Sequence, residues 1–200
     1  MGDIIYTYKN QVYANITNKC DCACTFCVRS QKNAVGEASN LWHEKDPSVE
    51  EIKQAIDTFD FKNYDEFVFC GYGEPTCALE ELLEIGSYMK EKTGLPIRLN
   101  TNGLGNLYHK RNIIPELAKV VDSVSISLNA PSAEGYEKVT RPQFENAYEA
   151  MLDFAEEANK VFAHTQLSIV DVLPEEDIKK CQEIADQRGV FLKVRRFSEG

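Results

Sequence analysis

The residues with the clearest chemistry lie in one short segment, 20–27, which contains four of the chain's seven cysteines. Cys20, Cys24 and Cys27 follow the spacing C-x3-C-x2-C. Thiolates are the ligands of iron–sulfur clusters, and a tight loop brings several of them to one cluster at little entropic cost. A ferredoxin-type site supplies four protein thiolates, whereas this spacing supplies three. The segment therefore predicts a cluster site with one iron left open to another ligand.

Two other uses of these cysteines are weaker interpretations. Structural zinc sites usually divide their ligands into two pairs separated by a dozen or more residues, and these four cysteines lie within eight. Disulfides are weaker still, because seven cysteines is an odd number and nothing marks the chain as secreted. Cys22 has no role in the three-cysteine pattern, so we interpret it as a bystander thiol. The alternative is that Cys22 replaces one of its neighbours as a ligand.

The composition excludes several classes of protein. A net charge of −10 argues against a broad nucleic-acid-binding face, which depends on clustered Lys and Arg. No apolar run is long enough to span a membrane, and no signal segment opens the sequence. We therefore expect a cytoplasmic protein with no nucleic-acid or membrane partner. Its 200 residues suit a single domain, 1–200.

Strand-like and helix-like patterns alternate along the chain. A β-rich hairpin is predicted first, and its second strand leads into the cysteine loop. Ser48 and Glu51 are predicted to form a capping box for the first helix, Thr76 to cap the second, and Gly94 to end it. Further helices are predicted around 113–119, over 144–158 and between Pro174 and Gly189. Repeated strand-then-helix units favour a parallel sheet with right-handed crossovers. The fold class predicted is α/β: an open partial (β/α)6 TIM-type barrel with parallel strands, plus a short N-terminal β-hairpin strand. The predicted strands are 4–8, 12–16, 66–70, 97–100, 123–128, 165–172 and 190–194.

The predicted strands end in polar or glycine-containing segments, which matters because ligands bind at the carboxyl ends of parallel strands. Gly71-Tyr72-Gly73-Glu74-Pro75 follows one strand, and its glycines permit close approach of backbone to a ligand. Asn100-Thr101-Asn102-Gly103 follows the next, with a plain Asx turn as the alternative. Ser125, Ser127 and Asn129 then alternate on one face. Small polar groups there suit a ribose better than a hydrophobic core.

The cysteine loop, with Phe26 just before its last cysteine, resembles the cluster motif of the radical S-adenosylmethionine (SAM) superfamily. The resemblance implies a [4Fe-4S] cluster on Cys20, Cys24 and Cys27, whose open iron binds SAM. It also implies that SAM is cleaved reductively to a 5′-deoxyadenosyl radical, which abstracts hydrogen from an unidentified small-molecule, peptide or protein substrate. No catalytic side chain is assigned. The positions that the resemblance assigns to SAM binding are Phe26, Gly71, Tyr72, Gly73, Glu74, Asn102, Ser127, Asn129 and Val170.

Within the superfamily, the segment Tyr-Ala-Asn-Ile-Thr-Asn-Lys-Cys at 13–20 looks nearest to short proteins associated with TatD-type nucleases. An electron donor such as flavodoxin or ferredoxin is implied as a partner. The arginines near the predicted functional loops are candidates for substrate contact: Arg29, Arg98, Arg141, Arg195 and Arg196. The remaining cysteines, Cys70, Cys77 and Cys181, are expected to be small buried hydrophobes.

Two other functions remain open on the sequence alone. The first is an iron–sulfur electron-transfer or cluster-binding module without SAM chemistry, and the second is a zinc-stapled binding protein. The long polar segment 28–46 contains Trp42 and His43. Two roles are open for these side chains: they cover the site, or they pack on the outside of the barrel.

Overall fold

The computed structural model describes residues 2–196. Its strands are β1 (Ile5–Tyr8), β2 (Gln11–Ala14), β3 (Glu66–Phe69), β4 (Ile97–Thr101), β5 (Ser123–Ser127), β6 (His164–Val170) and β7 (Phe191–Arg195). Its helices are α1 (Val49–Thr58), α2 (Leu79–Thr93), α3 (Gly105–His109), α4 (Ile114–Leu117), α5 (Ala133–Thr140), α6 (Ala147–Val161) and α7 (Glu175–Gln187). Two 3-10 helices, Val28–Ser30 and Pro75–Ala78, lie in the connections.

The strands form one sheet in the order β1 to β7. β1 and β2 pair antiparallel as a hairpin, and every later pair from β2–β3 to β6–β7 is parallel. β1 and β7 are not joined, so the barrel is open. The predicted fold class is confirmed. A single domain over 1–200 stays a prediction.

The two faces of the sheet differ in chemistry. Alternate strand residues such as Phe67, Leu99 and Ile126 are fully buried in the main hydrophobic cluster together with helix residues. The intervening residues face the concave side, which the helices do not cover, and most of them are polar. This polar concave face is available to a ligand.

Local signals placed most helices correctly. The capping box is present, because Ser48 Oγ accepts the Glu51 N–H and the Glu51 carboxylate accepts the Ser48 N–H. Gly94, at φ +67°, ends α2 as predicted. Thr76, however, does not cap α2: it lies inside the 3-10 helix Pro75–Ala78, and the Glu74 side chain caps that helix instead. The prediction missed α3 and α5, which are only 5 and 8 residues long.

Within residues 2–196, no helix is both long enough and apolar enough to cross a membrane.

Candidate functional site

The cysteine loop begins after β2 and is held in place by α5. The Ala23 N–H donates to the Thr140 carbonyl at 3.0 Å, and the Thr25 N–H donates to the Val139 carbonyl at 2.8 Å. Cys27 precedes the 3-10 helix Val28–Ser30, and its N–H donates to the Cys24 carbonyl. The last carbonyls of α5 have no partner within their own helix, so the loop satisfies them. The short helix that the sequence did not predict is thus what positions the cysteines.

The three predicted ligand cysteines are half-buried and free of disulfides. Burial raises the pKa of the Cys20 thiol to about 12 and also raises the pKa of Cys27. The Cys24 pKa is lowered instead, because the Cys22 thiol donates a hydrogen bond to its sulfur. Cys22 is buried, and its thiol contacts the sulfur of Cys24 although Cys22 is not part of the spacing motif.

The donor set suits an iron–sulfur cluster. Three free thiols on one loop at the carboxyl end of β2 are the soft ligands that such a cluster requires. Within the described residues, no three side chains of His, Cys, Asp or Glu are grouped closely enough to hold a single metal ion. The ligand assignment of Cys20, Cys24 and Cys27 stays a prediction.

The turn after β3 packs directly against the segment that leads into the cysteine loop. A Cβ atom on Gly71 would lie 2.1 Å from Asn15 Oδ1, and one on Gly73 would lie 2.3 Å from the Thr17 carbonyl oxygen. Both positions therefore need glycine for close packing of backbone. The Glu74 N–H completes the junction by donating to the Lys19 carbonyl at 2.7 Å. The turn and the cysteine loop form one unit.

Glu74 is buried and organises the ends of two strands. Its Oε1 accepts hydrogen bonds from the Thr76 N–H, the Thr76 hydroxyl and, at 2.7 Å, the Thr101 hydroxyl. Its Oε2 accepts the Asn102 N–H at 2.8 Å. Burial raises the Glu74 pKa to about 7, and the nearby Asp21 carboxylate contributes to the rise. Oε2 has the capacity to accept a further donor, which is compatible with the predicted SAM ammonium contact.

Asp21 is a residue that sequence reasoning missed. It lies between two cysteines, is 1% exposed, and its Oδ1 accepts a 2.5 Å hydrogen bond from Asn102 Nδ2. Asn102 therefore joins the cysteine loop to Glu74, binding one carboxylate through its side chain and the other through its backbone. Burial raises the Asp21 pKa. No sequence signal would have indicated this contact, because its two residues are 81 positions apart.

Tyr72 is engaged by other parts of the protein. Its hydroxyl donates to the Lys32 carbonyl, its ring meets the edge of Trp42 at 5.2 Å, and its N–H donates to Asn15 Oδ1. The side chain of Tyr72 therefore packs under the 28–46 segment. The assignment of Tyr72 to SAM binding stays a prediction. Because its side chain packs elsewhere, only its backbone would be available to SAM.

The remaining predicted SAM contacts lie at the same end of the sheet. Ser127, the last residue of β5, pairs in register with Ser168, and Val170 is the last residue of β6. Asn129 has a left-handed backbone at φ +63°, a conformation that asparagine tolerates better than most residues. Phe26 is half-buried within the cysteine loop. These positions are brought to one edge, and their roles stay predictions.

Comparison with solved structures identifies the fold. Methylornithine synthase superposes with a TM-score of 0.63 at 15% identity, covering 94% of this chain and 53% of that chain. The protein titled "Native anSMEcpe with bound AdoMet" gives 0.59 at 17% identity, covering 92% and 50%. At these identities the likeness concerns the fold alone. It is the partial TIM barrel that radical SAM enzymes share.

The sequence itself then gives the family. Residues 14–187 match the model of the radical SAM superfamily, and the chain belongs to that superfamily. Its family cofactors are a [4Fe-4S] cluster and SAM. A protein of Methanocaldococcus jannaschii named "Putative glycyl-radical enzyme activating enzyme" is 31% identical over 147 residues, which are 70% of this chain and 56% of that protein. The chain thus spans about half the length of these relatives. The closer resemblance to the TatD-associated proteins is not confirmed.

Proposed function

We propose that this chain abstracts a hydrogen atom from a glycine residue of a partner protein. The observation that carries the proposal is the 31% identity to the relative named as a glycyl-radical enzyme activating enzyme. Cys20, Cys24 and Cys27 would hold the cluster, which would supply SAM with one electron from a donor such as flavodoxin or ferredoxin, for cleavage to methionine and a 5′-deoxyadenosyl radical. That radical would take the glycine Cα hydrogen atom, leaving 5′-deoxyadenosine and a glycyl radical.

The chain's own residues bind and position the reactants. The cysteine loop would hold the cluster, and the Gly71–Glu74 turn, which packs against the segment leading into that loop, would place Glu74 beside SAM. The Glu74 carboxylate is fixed by four hydrogen bonds, so it meets the SAM ammonium without reorganisation. The open edge between β1 and β7 leaves the concave face accessible to a segment of a large partner.

The test follows a deuterium atom from glycine to the cofactor product. Proteins from the source cells are labelled with α-deuterated glycine, separated from small molecules, and incubated anaerobically with the reconstituted enzyme, SAM and dithionite. We expect mono-deuterated 5′-deoxyadenosine, detected by mass spectrometry, from the protein fraction only. A Cys24→Ala variant, which lacks a predicted cluster ligand, is the control and is expected to give none.

Two outcomes would overturn the proposal. Deuterium-free 5′-deoxyadenosine stimulated only by the small-molecule fraction would assign a metabolite as the substrate. A reconstituted cluster without any SAM cleavage would instead favour the electron-transfer module.

A further inference from the structure

The charged strand residues of the concave face are mostly cations. Paired residues on parallel strands point to the same side, so the register places Glu66, Arg98, Lys193 and Arg195 on this face. They are three cations and one carboxylate in a chain whose net charge is −10. The sign of the face is therefore opposite to that of the molecule, which favours an anionic ligand.

The single carboxylate is already occupied. Glu66 accepts from Gln11 Nε2 at 2.6 Å and pairs with Arg98 at 3.2 Å. Arg98 Nη2 also donates to Gln11 Oε1 at 3.0 Å. By contrast, no ion pair joins Lys193 or Arg195 to another side chain in the described part of the chain, and both are exposed. The positive charge of β7 is thus available to a ligand.

Two of the cations, Arg195 and Arg98, lie near the residue that precedes the Gly71–Glu74 turn. Arg195 pairs in register with Val170 at the carboxyl end of the sheet. The charges of Arg195 and Arg98 both oppose the rise that burial causes in the pKa of Cys70, the residue directly before Gly71. Both guanidinium groups therefore lie within electrostatic range of the same thiol.

Two buried polar atoms on this face have no hydrogen-bond partner among residues 2–196. They are Arg98 Nε, a donor, and Asn100 Oδ1, an acceptor. Buried polar atoms are normally paired, so a ligand that brings both an acceptor and a donor would complete the face. Towards the amino end of the strands, a cavity of about 500 Å³ is lined by Glu66, Arg98, Gln166 and Lys193 among others. That volume admits a small group or a few peptide atoms.

We infer that the substrate segment carries a carboxylate next to its reacting carbon, and that Arg195, Lys193 and Arg98 bind this carboxylate. Asn100 Oδ1 accepts an N–H from the same segment. The inference rests on the proposed function for the identity of the segment, a peptide that contains glycine. The inference adds an acidic residue beside that glycine. Neither the cluster motif nor the Gly71–Glu74 turn implies such a residue.

The test measures binding to the reconstituted enzyme with SAM and without reductant, so that it does not depend on turnover. The probes are N-acetyl-aspartyl-glycine amide and its neutral isostere N-acetyl-asparaginyl-glycine amide, titrated at low salt by NMR. We expect the aspartyl peptide to bind about tenfold more tightly, since a charge-assisted hydrogen bond contributes about that much. Arg195→Gln and Lys193→Gln are each expected to remove most of the difference.

Matched controls are Arg111→Gln and Lys179→Gln, which alter exposed cations on other surfaces. Both are expected to leave peptide binding unchanged. Arg98 is tested as the double variant Arg98→Gln/Glu66→Gln, so that no carboxylate is left unpaired, with circular dichroism to verify folding.

Equal affinity for the two peptides, or full binding by the β7 variants, would overturn the inference. Tighter binding of inorganic phosphate with the same variant dependence would also overturn it, in favour of a phosphorylated ligand. Failure of glycine-labelled proteins to donate deuterium would overturn the proposed function and leave the measured peptide preference standing.

Discussion

At the scale of single residues, the site depends on close contacts between two cysteines and on an asparagine that connects two buried carboxylates. The Cys22 thiol contacts the Cys24 sulfur, and Asn102 connects Asp21 to Glu74. These contacts hold charged or chargeable groups away from water. Their energetic consequences can be measured one residue at a time.

Cys24→Ala and Cys22→Ala should differ in iron content. We expect the wild type to hold about four irons after anaerobic reconstitution, as one [4Fe-4S] cluster requires. Cys24→Ala should lose most of this iron, because it removes a ligand. Cys22→Ala should keep most of it, because that thiol contacts a ligand without being one. Equal losses in the two variants would contradict the ligand assignment.

Glu74 should make the stability of the cluster-free protein depend on pH. Its folded-state pKa is raised to about 7 from 4.5, so between these pH values the folded protein holds a proton that the unfolded chain has lost. The free energy of unfolding should therefore fall as pH rises through this window, by about 3 kcal/mol from this residue. Urea unfolding at pH 4.5 and 7.5 should give a shallower decline in Glu74→Gln. If the free energy of unfolding fell equally with pH in the wild type and in Glu74→Gln, burial would not disfavour ionisation of Glu74 and the prediction would be wrong.

At the scale of secondary structure elements, the junction between β2 and β3 determines where the site forms. Both strands end at the same edge, and the segments that follow them are in close contact: Gly71 lies against Asn15, and Gly73 lies against the carbonyls of Thr17 and Lys19. α5 supports the cysteine loop from the other side. The site is therefore made of connections that only neighbouring elements can bring together.

Gly73→Ala tests this junction. The added Cβ would lie 2.3 Å from the Thr17 carbonyl oxygen and 2.6 Å from that of Lys19, which is a steric clash. Both are backbone atoms, so neither can rotate away. We expect a loss of about 3 kcal/mol in the free energy of unfolding, at the upper end for overpacking. The matched control is Gly135→Ala on α5, where the nearest atom is the Ser132 hydroxyl at 3.1 Å. A Gly73→Ala variant as stable as this control would mean that the two segments separate easily.

At the scale of the whole molecule, the long 28–46 segment is tied to the barrel through Asn15. This residue is fully buried, and its Nδ2 donates to the Leu41 carbonyl at 2.8 Å and to the Asp3 carbonyl at 3.2 Å. Its Oδ1 accepts the Tyr72 N–H. One side chain thus joins the N-terminal segment, the long connection and the Gly71–Glu74 turn.

Asn15→Ala should loosen the long segment and destabilise the fold. Three buried backbone groups would lose their partners, and we expect a cost of about 3 kcal/mol or more. Cleavage by trypsin after Lys32 should also become faster. Asn10→Ala, which removes an exposed contact to Asp65, is the matched control and should change neither measurement appreciably. Unchanged proteolysis in Asn15→Ala would assign the order of the segment to its hydrophobic contacts alone.

The sequence was most informative where signals are local. Ser48 and Glu51 are three residues apart, and Gly94 ends a helix by its own backbone conformation, so both were predicted correctly. α5 was missed because its 8 residues span little more than two turns, too few for a repeating apolar pattern to stand out. Thr76 was misassigned as a cap, since nothing in the sequence indicates that Glu74 turns back to cap a 3-10 helix.

The amino-acid sequence by itself determined the family, the alternation of strands and helices, and the cysteine spacing. These features follow from side-chain periodicity and ligand chemistry within a few residues. Only the tertiary structure decided that Glu74 shares Asn102 with Asp21, that Cys22 contacts Cys24, and that Arg98 of β4 and Lys193 of β7 line one cavity. Those arrangements depend on strand register and on contacts between residues dozens of positions apart, and no short sequence window contains both partners.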